Sequence, residues 1–336
     1  MRNIFCILFL VLIFNQQATA QCRDVKKSLK HLNNNKLDSS ISTLKRAEKV
    51  LIENGIESVN EKCLSRMYFL KGATNLTLGK KADSLSVKLK YFKESASNYR
   101  KFIKGYTRPS DLNKIVISNI ATLGTEYINI GVIYFNDKNY EDALKYTEFG
   151  IDLKHTADPN GVKDQERFNA MVCAKLTKDY AKALDYADSL LANGKLNTEK
   201  ENKYSMQKVE ILVSMGKTEK AFKLIDTLKI KNPVNTSIQI VELQLYLNQD
   251  DTNKVLLILE GLTKRVRDRE DLWVIKGQNH FKKNQIGSSI SSFNSALAIN
   301  GKSISALYGL GVIHVERANE NVLLAQEEAN VNEANK

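Results

Sequence analysis

The chain has 336 residues, with 50 Lys and Arg against 38 Asp and Glu, a formal charge of +12 and a hydrophobic share of 43%. Only 3 prolines and 16 glycines are spread along it, which argues against a linker-rich or sheet-and-turn protein and for helix, because proline breaks helix interiors. Past the N-terminus no apolar run reaches the ~18 residues expected of a membrane span, so the remainder reads as a soluble chain.

Residues 1–20 have the layout of a secretory signal. Met1-Arg2-Asn3 is weakly basic, Ile4 to Phe14 is an apolar run, and Ala18-Thr19-Ala20 ends the polar tail. That run is too short for a span that needs about 20 residues, so cleavage after Ala20 is expected. The residue before Cys22 is Gln21 rather than a small one, which argues against a lipid anchor there. Export would place the protein in the periplasm, on the outer membrane or outside the cell.

Helix pairs follow in order. The first is expected over 23–54, with a turn at Asn33-Asn34-Asn35-Lys36 and Ile41, Leu44 and Ala47 on the second helix. The second spans 62–105. There Leu85, Leu89, Phe92, Ala96, Tyr99 and Ile103 fall at helical spacing and make one apolar stripe. Pro109 breaks the chain and Ser110 or Asp111 caps the next helix. The third pair, 111–154, has an overlong first helix, and Asp158-Pro159-Asn160-Gly161 is a turn. Pairs at 164–195, 202–233, 236–267 and 270–301 follow, then a helix from 303 with Leu307, Leu310, Gly311 and His314. Residues 317–336, rich in Glu, Asn and Ala, read as a polar capping helix or tail.

The C-terminal half keeps a fixed step of 34 residues. Leu212, Tyr246, His280 and His314 are one register, and Val209, Leu243, Gly277 and Gly311 another. A second helix repeats Ala221, Val255 and Ser289, then Ile225, Leu259 and Phe293, then Leu228, Leu262 and Ala296. A period of this size marks a solenoid of stacked helix pairs, each with an apolar face it cannot bury alone. Upstream of about residue 202 the step stretches, and residues 61–125 lose it.

With Tyr127, Ile130, Gly131 and Tyr134, then Asn139, Tyr140 and Ala143, the chain resembles the tetratricopeptide repeat (TPR) family. Trp273, Gly277, Phe293 and Ala296 match next best, then Gly216, Ala221, Leu228 and Pro233. The resemblance implies an all-α, right-handed solenoid of about seven to eight helix pairs, regular over 126–316 and degenerate and basic over 21–125. It implies a non-catalytic scaffold that binds protein or peptide on the concave face of the first helices. Carried onto this chain, that face takes Ile128, Val132 and Phe135, then Phe168 and Val172, then Met206, Ile240, Gln244, Gln278, Phe281 and Tyr308.

Cys22 and Cys63 open the first helices of successive pairs, which the resemblance would set side by side. They either form a disulfide or remain two free thiols. Cys173 reads as a buried thiol. His280 and His314 share one repeat position that is usually packed, without neighbouring ligands for a metal. Gly301-Lys302-Ser303 lacks the glycine five residues earlier that a phosphate loop needs, since Ala296 stands there. Gly309-Leu310-Gly311 lacks the third glycine of a dinucleotide fingerprint. No catalytic, cofactor or metal site is therefore expected.

Residues 61–110 carry most of the excess charge. Lys90, Lys93, Arg100, Lys101 and Lys104 fall opposite the apolar stripe and form a basic ridge, with Lys62, Arg66 and Lys71 nearby. The ridge is either a solvated face or a contact for acidic protein, anionic envelope glycan or lipid. Export makes nucleic acid a poor partner. The aromatics sit mostly at packing positions, which favours protein over glycan; Tyr91, Tyr106 and Tyr204 are the ones that do not.

Overall fold

The computed structural model describes residues 22–54, 61–105, 111–192 and 196–334. The signal expected over 1–20, Tyr106 and Pro109 lie outside them. Helices and short connections account for the described residues, with no strand among them. The helices are α1 (22–33), α2 (Leu37–Asn54), α3 (Glu61–Lys81), α4 (Leu85–Gly105), α5 (Asp111–Asn136), α6 (Tyr140–Ala157), α7 (Asp164–Leu176) and α8 (Tyr180–Leu191). Then come α9 (Thr198–Ser214), α10 (Thr218–Lys231), α11 (Thr236–Asn248), α12 (Thr252–Arg265), α13 (Glu270–Lys282), α14 (Ile286–Ile299) and α15 (Ile304–Ala334). This is the all-α solenoid architecture of helix pairs, divided into two compact units at Leu190 and Leu191.

Within each unit a first helix packs on its own second helix, as α3 does on α4 and α13 on α14, and also on the first helix of the next pair, as α3 does on α5 and α13 on α15. Small residues permit the close approach. A Cβ placed on Gly277 would lie 2.8 Å from the Phe293 ring of α14. In the first unit the backbones of α5 and α6 meet at two glycines, where a Cβ on Gly124 would lie 2.7 Å from the Gly150 carbonyl. The apolar stripe on α4 is realised by Phe92, Ala96, Tyr99 and Phe102, all buried against Ile120, Leu123 and Tyr127 of α5. Leu85 and Leu89 are only partly buried, and Ile103 turns to solvent at 38% exposure.

Six of the first-to-second turns share one backbone device, the α3–α4 turn being the exception. Residues Asn35, Lys138, Lys178, Gly216, Asp250 and Asn284 each take a positive φ, between 55° and 71°. The following N–H donates five residues back in every case: Lys36 to His31, Asn139 to Tyr134, Asp179 to Ala174, Lys217 to Leu212, Asp251 to Tyr246 and Gln285 to His280. That is the Schellman closure, which satisfies carbonyls the helix end would otherwise orphan. Gly216, Asp250 and Asn284 stand 34 apart, so the period is also a turn period.

Ion pairs tie second helices to the next first helix. Lys154 of α6 meets Glu166 of α7 with both side chains nearly enclosed, and Glu166 also accepts the Lys163 N–H at 2.8 Å, capping α7. Lys229 meets Glu242 at 2.7 Å, and Lys71 meets Glu48 at 2.5 Å. Cys22 and Cys63 are joined in a disulfide with a Cα–Cα distance of 5.6 Å.

Two expectations change. The polar cap over 317–336 is not a separate element, because α15 runs without a break from Ile304 to Ala334. Its distal half is not uniformly polar either, since Val322, Leu323 and Leu324 are 55–60% exposed. Tyr204 packs at 4% exposure rather than standing free. Finally, α5 has the length and apolarity of a membrane-crossing helix by composition alone, with 44% of its most apolar window buried. Its Val116, Ile120, Leu123, Tyr127 and Ile130 belong to the core of the first unit.

Candidate partner groove

The best-formed site lies in the first unit, where α5, α6 and α7 meet. It is an apolar cavity of about 280 Å³ lined by Gly131, Val132, Phe135, Thr147, Phe168, Asn169, Val172 and Cys173. The helix repeat explains the set. Val132 and Phe135 lie on one face of α5, and Phe168 and Val172 lie one turn apart on α7. Gly131 has no side chain because Thr147 of α6 and the Ala143 carbonyl occupy the space. The floor is therefore backbone and small groups, and the walls are two phenyl rings. Phe135 is held edge-on against Tyr140, with ring centroids 5.4 Å apart. Asn169 at the side accepts from the Gln165 amide at 2.8 Å.

No charged residue lines this cavity. A cavity of roughly 150 Å³ holds benzene, so this one has room for a large apolar side chain. Cys173 at its floor is 2% exposed and not in a disulfide, and burial pushes its thiol pKa up to about 11. A thiol that stays protonated is a poor nucleophile and a poor metal ligand.

Val132, Phe135, Phe168 and Val172 are brought together as the repeat positions imply. Ile128 is not: it is 6% exposed and packs under α6, where it blocks any side chain on Gly150. The reason is the unusually close approach of α5 and α6 at Gly124 and Gly150. Repeat position does not mark Asn169, Thr147 or Cys173 as groove residues. Their signal is only that Asn169 and Cys173 adjoin Phe168 and Val172 on α7 and that Thr147 faces Gly131 from α6.

In the second unit the expected positions do not form one cavity. Met206 lines an open cleft with Asn202, Lys203, Asn232, Pro233 and Val234. Ile240 is drawn into the packing of α11 on α12, and Phe281 into that of α13 on α14. Gln244 and Gln278 are exposed, and the Gln244 amide donates to Asn248 at 3.0 Å. Tyr308 is 73% exposed beside Gly311, Val312 and Val315 on α15.

The basic ridge is a real surface of α4. All five of Lys90, Lys93, Arg100, Lys101 and Lys104 are exposed. Its edges lean on the neighbouring helices. Arg100 pairs with Asp152 at 2.5 Å and lies over the Phe149 ring at 4.9 Å, while Lys101 approaches the Tyr68 ring at 5.7 Å. Lys71 is spent on Glu48 rather than joining the ridge. Tyr91 and Lys90 line a charged cleft with Lys45, Glu48 and Glu94.

The two histidines part company. His280 is half-buried and its Nδ1 is 2.7 Å from the Gln285 side-chain oxygen. His314 is exposed, not packed, because no second helix follows α15 among the described residues. Those residues hold no group of three His, Cys, Asp or Glu side chains spaced for a metal. Ser303 of the Gly301-Lys302-Ser303 stretch donates its hydroxyl to Glu270.

No family model matches the chain, and no curated protein does. Solved structures similar to it include YrrB, described as a TPR protein with an unusual peptide-binding site, at 16% identity and a TM-score of 0.40 over 55% of this chain and 90% of that one. MamA from Desulfovibrio magneticus RS-1 shows 13% identity and a TM-score of 0.43 over 54% of this chain and 97% of its own. A tetratricopeptide repeat protein from Parabacteroides merdae shows 14% identity and a TM-score of 0.38, covering 88% of this chain and 99% of that one.

Proposed function

We propose that this protein is a non-catalytic scaffold that takes a protein or peptide segment along the first helices of its first unit. The observation that carries the reading is the uncharged cavity over Gly131 between Phe135 and Phe168. It can seat one large apolar side chain of a bound segment, and the rings supply the desolvated anchor that interfaces rely on. The cavity offers no convergent acid, base or unhindered nucleophile, so binding is the activity assigned.

The test is a peptide display selection on the full chain. Phe135→Ser combined with Val132→Glu should weaken the selected peptides by roughly tenfold or more, the loss of one apolar anchor. The melting temperature should barely move, because both side chains are more than a third exposed. Peptides that bind the double variant as well as the parent would overturn the reading.

Export from the cytoplasm is the finer part of the same proposal. It rests on the layout of residues 1–20 and on the Cys22–Cys63 bond, since such bonds persist in oxidising compartments. The exposed ridge on α4 gives a second contact for an acidic partner or an anionic envelope glycan. That contact weakens steeply with salt, whereas seating in the uncharged cavity does not.

A further inference from the structure

Helix α15 is a first-type helix with no second helix to cover it among the described residues. The step of 34 sets Tyr308, Gly311 and Val315 at the positions that Val274, Gly277 and Phe281 hold in α13. In α13 that face is covered: Val274 is 7% exposed and the Phe293 ring of α14 lies against Gly277. In α15 it is bare. Tyr308 is 73% and Val315 60% exposed, and a Cβ on Gly311 would meet nothing within 4 Å. The stripe extends at helical spacing to Ile304, 81% exposed, and Val322, 55% exposed.

We propose that this face pairs two copies of the chain, α15 against α15, antiparallel about a two-fold axis near residue 313. Charge is the first argument. A self-pairing face meets its own image, so any charge on it meets its like. From Ile304 to Gln326 the stripe positions carry none; Arg317, Glu320, Glu327 and Glu328 fall away from it around the helix, and Glu316 flanks it beside Tyr308 and Val315.

Shape is the second argument. An antiparallel pair centred near residue 313 sets Ile304 opposite Val322, Tyr308 opposite Ala318 and Val315 opposite Gly311. Large side chains then meet small ones at the middle, as Phe293 meets Gly277 inside the chain.

Area sets the strength. Fully burying an aliphatic side chain removes roughly 60–120 Å², so the large side chains of the stripe hide on the order of 400 Å² per copy. That is about half of a standard interface, so the dimer is weak, and association is sought across the micromolar range.

Sedimentation velocity of the full chain across that range should show a monomer–dimer equilibrium. Val315→Lys should weaken it by roughly tenfold or more, by burying like charges near the axis, with unchanged helix content because Val315 is already mostly in water. Mixing Ile304→Cys protein with Val322→Cys protein should give an oxidised cross-link faster than either variant alone. A monomer throughout, a dimer indifferent to Val315→Lys, or no preferential cross-link would each overturn the proposal. So would a monomer whose α15 face instead binds a helix of another protein.

Discussion

Cys173 and three tyrosines show what burial does at single residues. Burial holds the Cys173 thiol at about 11 and the Tyr127 phenol at about 12, and it raises Tyr99 and Tyr186 as well. In the unfolded chain these groups ionise near 9.0 and 10.0. The unfolded state therefore releases protons first as pH rises. Stability is fully present below about pH 9 and is lost progressively as pH climbs through the folded values. The urea midpoint should accordingly fall between pH 8 and pH 10.5, and Tyr127→Phe with Cys173→Ala should flatten the fall. A midpoint that holds steady over that interval refutes the assignment. At this scale Cys173 was legible in the sequence as a buried thiol, because it lies on an apolar helix face. Ile128 was not legible as core, since its burial depends on how closely Gly124 and Gly150 let two helices approach.

The turns carry information at the element scale. Lys138 and Lys178 adopt left-handed backbone at φ 60° and 63° where Gly216 serves the same closure at 71°. A side chain in that region costs ~1–2 kcal/mol, partly offset by the greater freedom glycine has when unfolded. Lys138→Gly should therefore raise stability by about 0.5–1 kcal/mol, and Gly216→Ala should lower it by about 1 kcal/mol. Chemical denaturation of the two variants checks both signs; a destabilised Lys138→Gly refutes the argument. The sequence showed where these turns fall through its apolar registers and its Asn- and Asp-rich connections. It did not show that a lysine would fill the left-handed site, since lysine has no marked preference there. Helix α15 is the converse case. Its first two turns repeat the earlier pattern, and its composition after residue 316 suggested a polar cap. Only the folded chain shows one helix continuing with an apolar stripe uncovered.

For the whole molecule, the proposed export and the disulfide are tested by one measurement. The intact mass of protein purified from its host, without reductant, should match a chain starting at Gln21 with Cys22 bonded to Cys63. A retained leader, or two free thiols at those positions, would count against the corresponding part. The sequence by itself determined the all-α class, the pairing of helices and the 34-residue step. These follow from short-range periodicity, which any window of the chain exposes. It also named Val132, Phe135, Phe168 and Val172, because a repeat fixes which helix face each position takes. The tertiary structure decided which of the expected groove positions meet. Repeat position gives the direction of a side chain but not the distance between helices, and small residues such as Gly124, Gly131 and Gly150 set that distance. Packing therefore gathered four residues over Gly131, sank Ile128 beneath α6 and left Tyr308 on an open face.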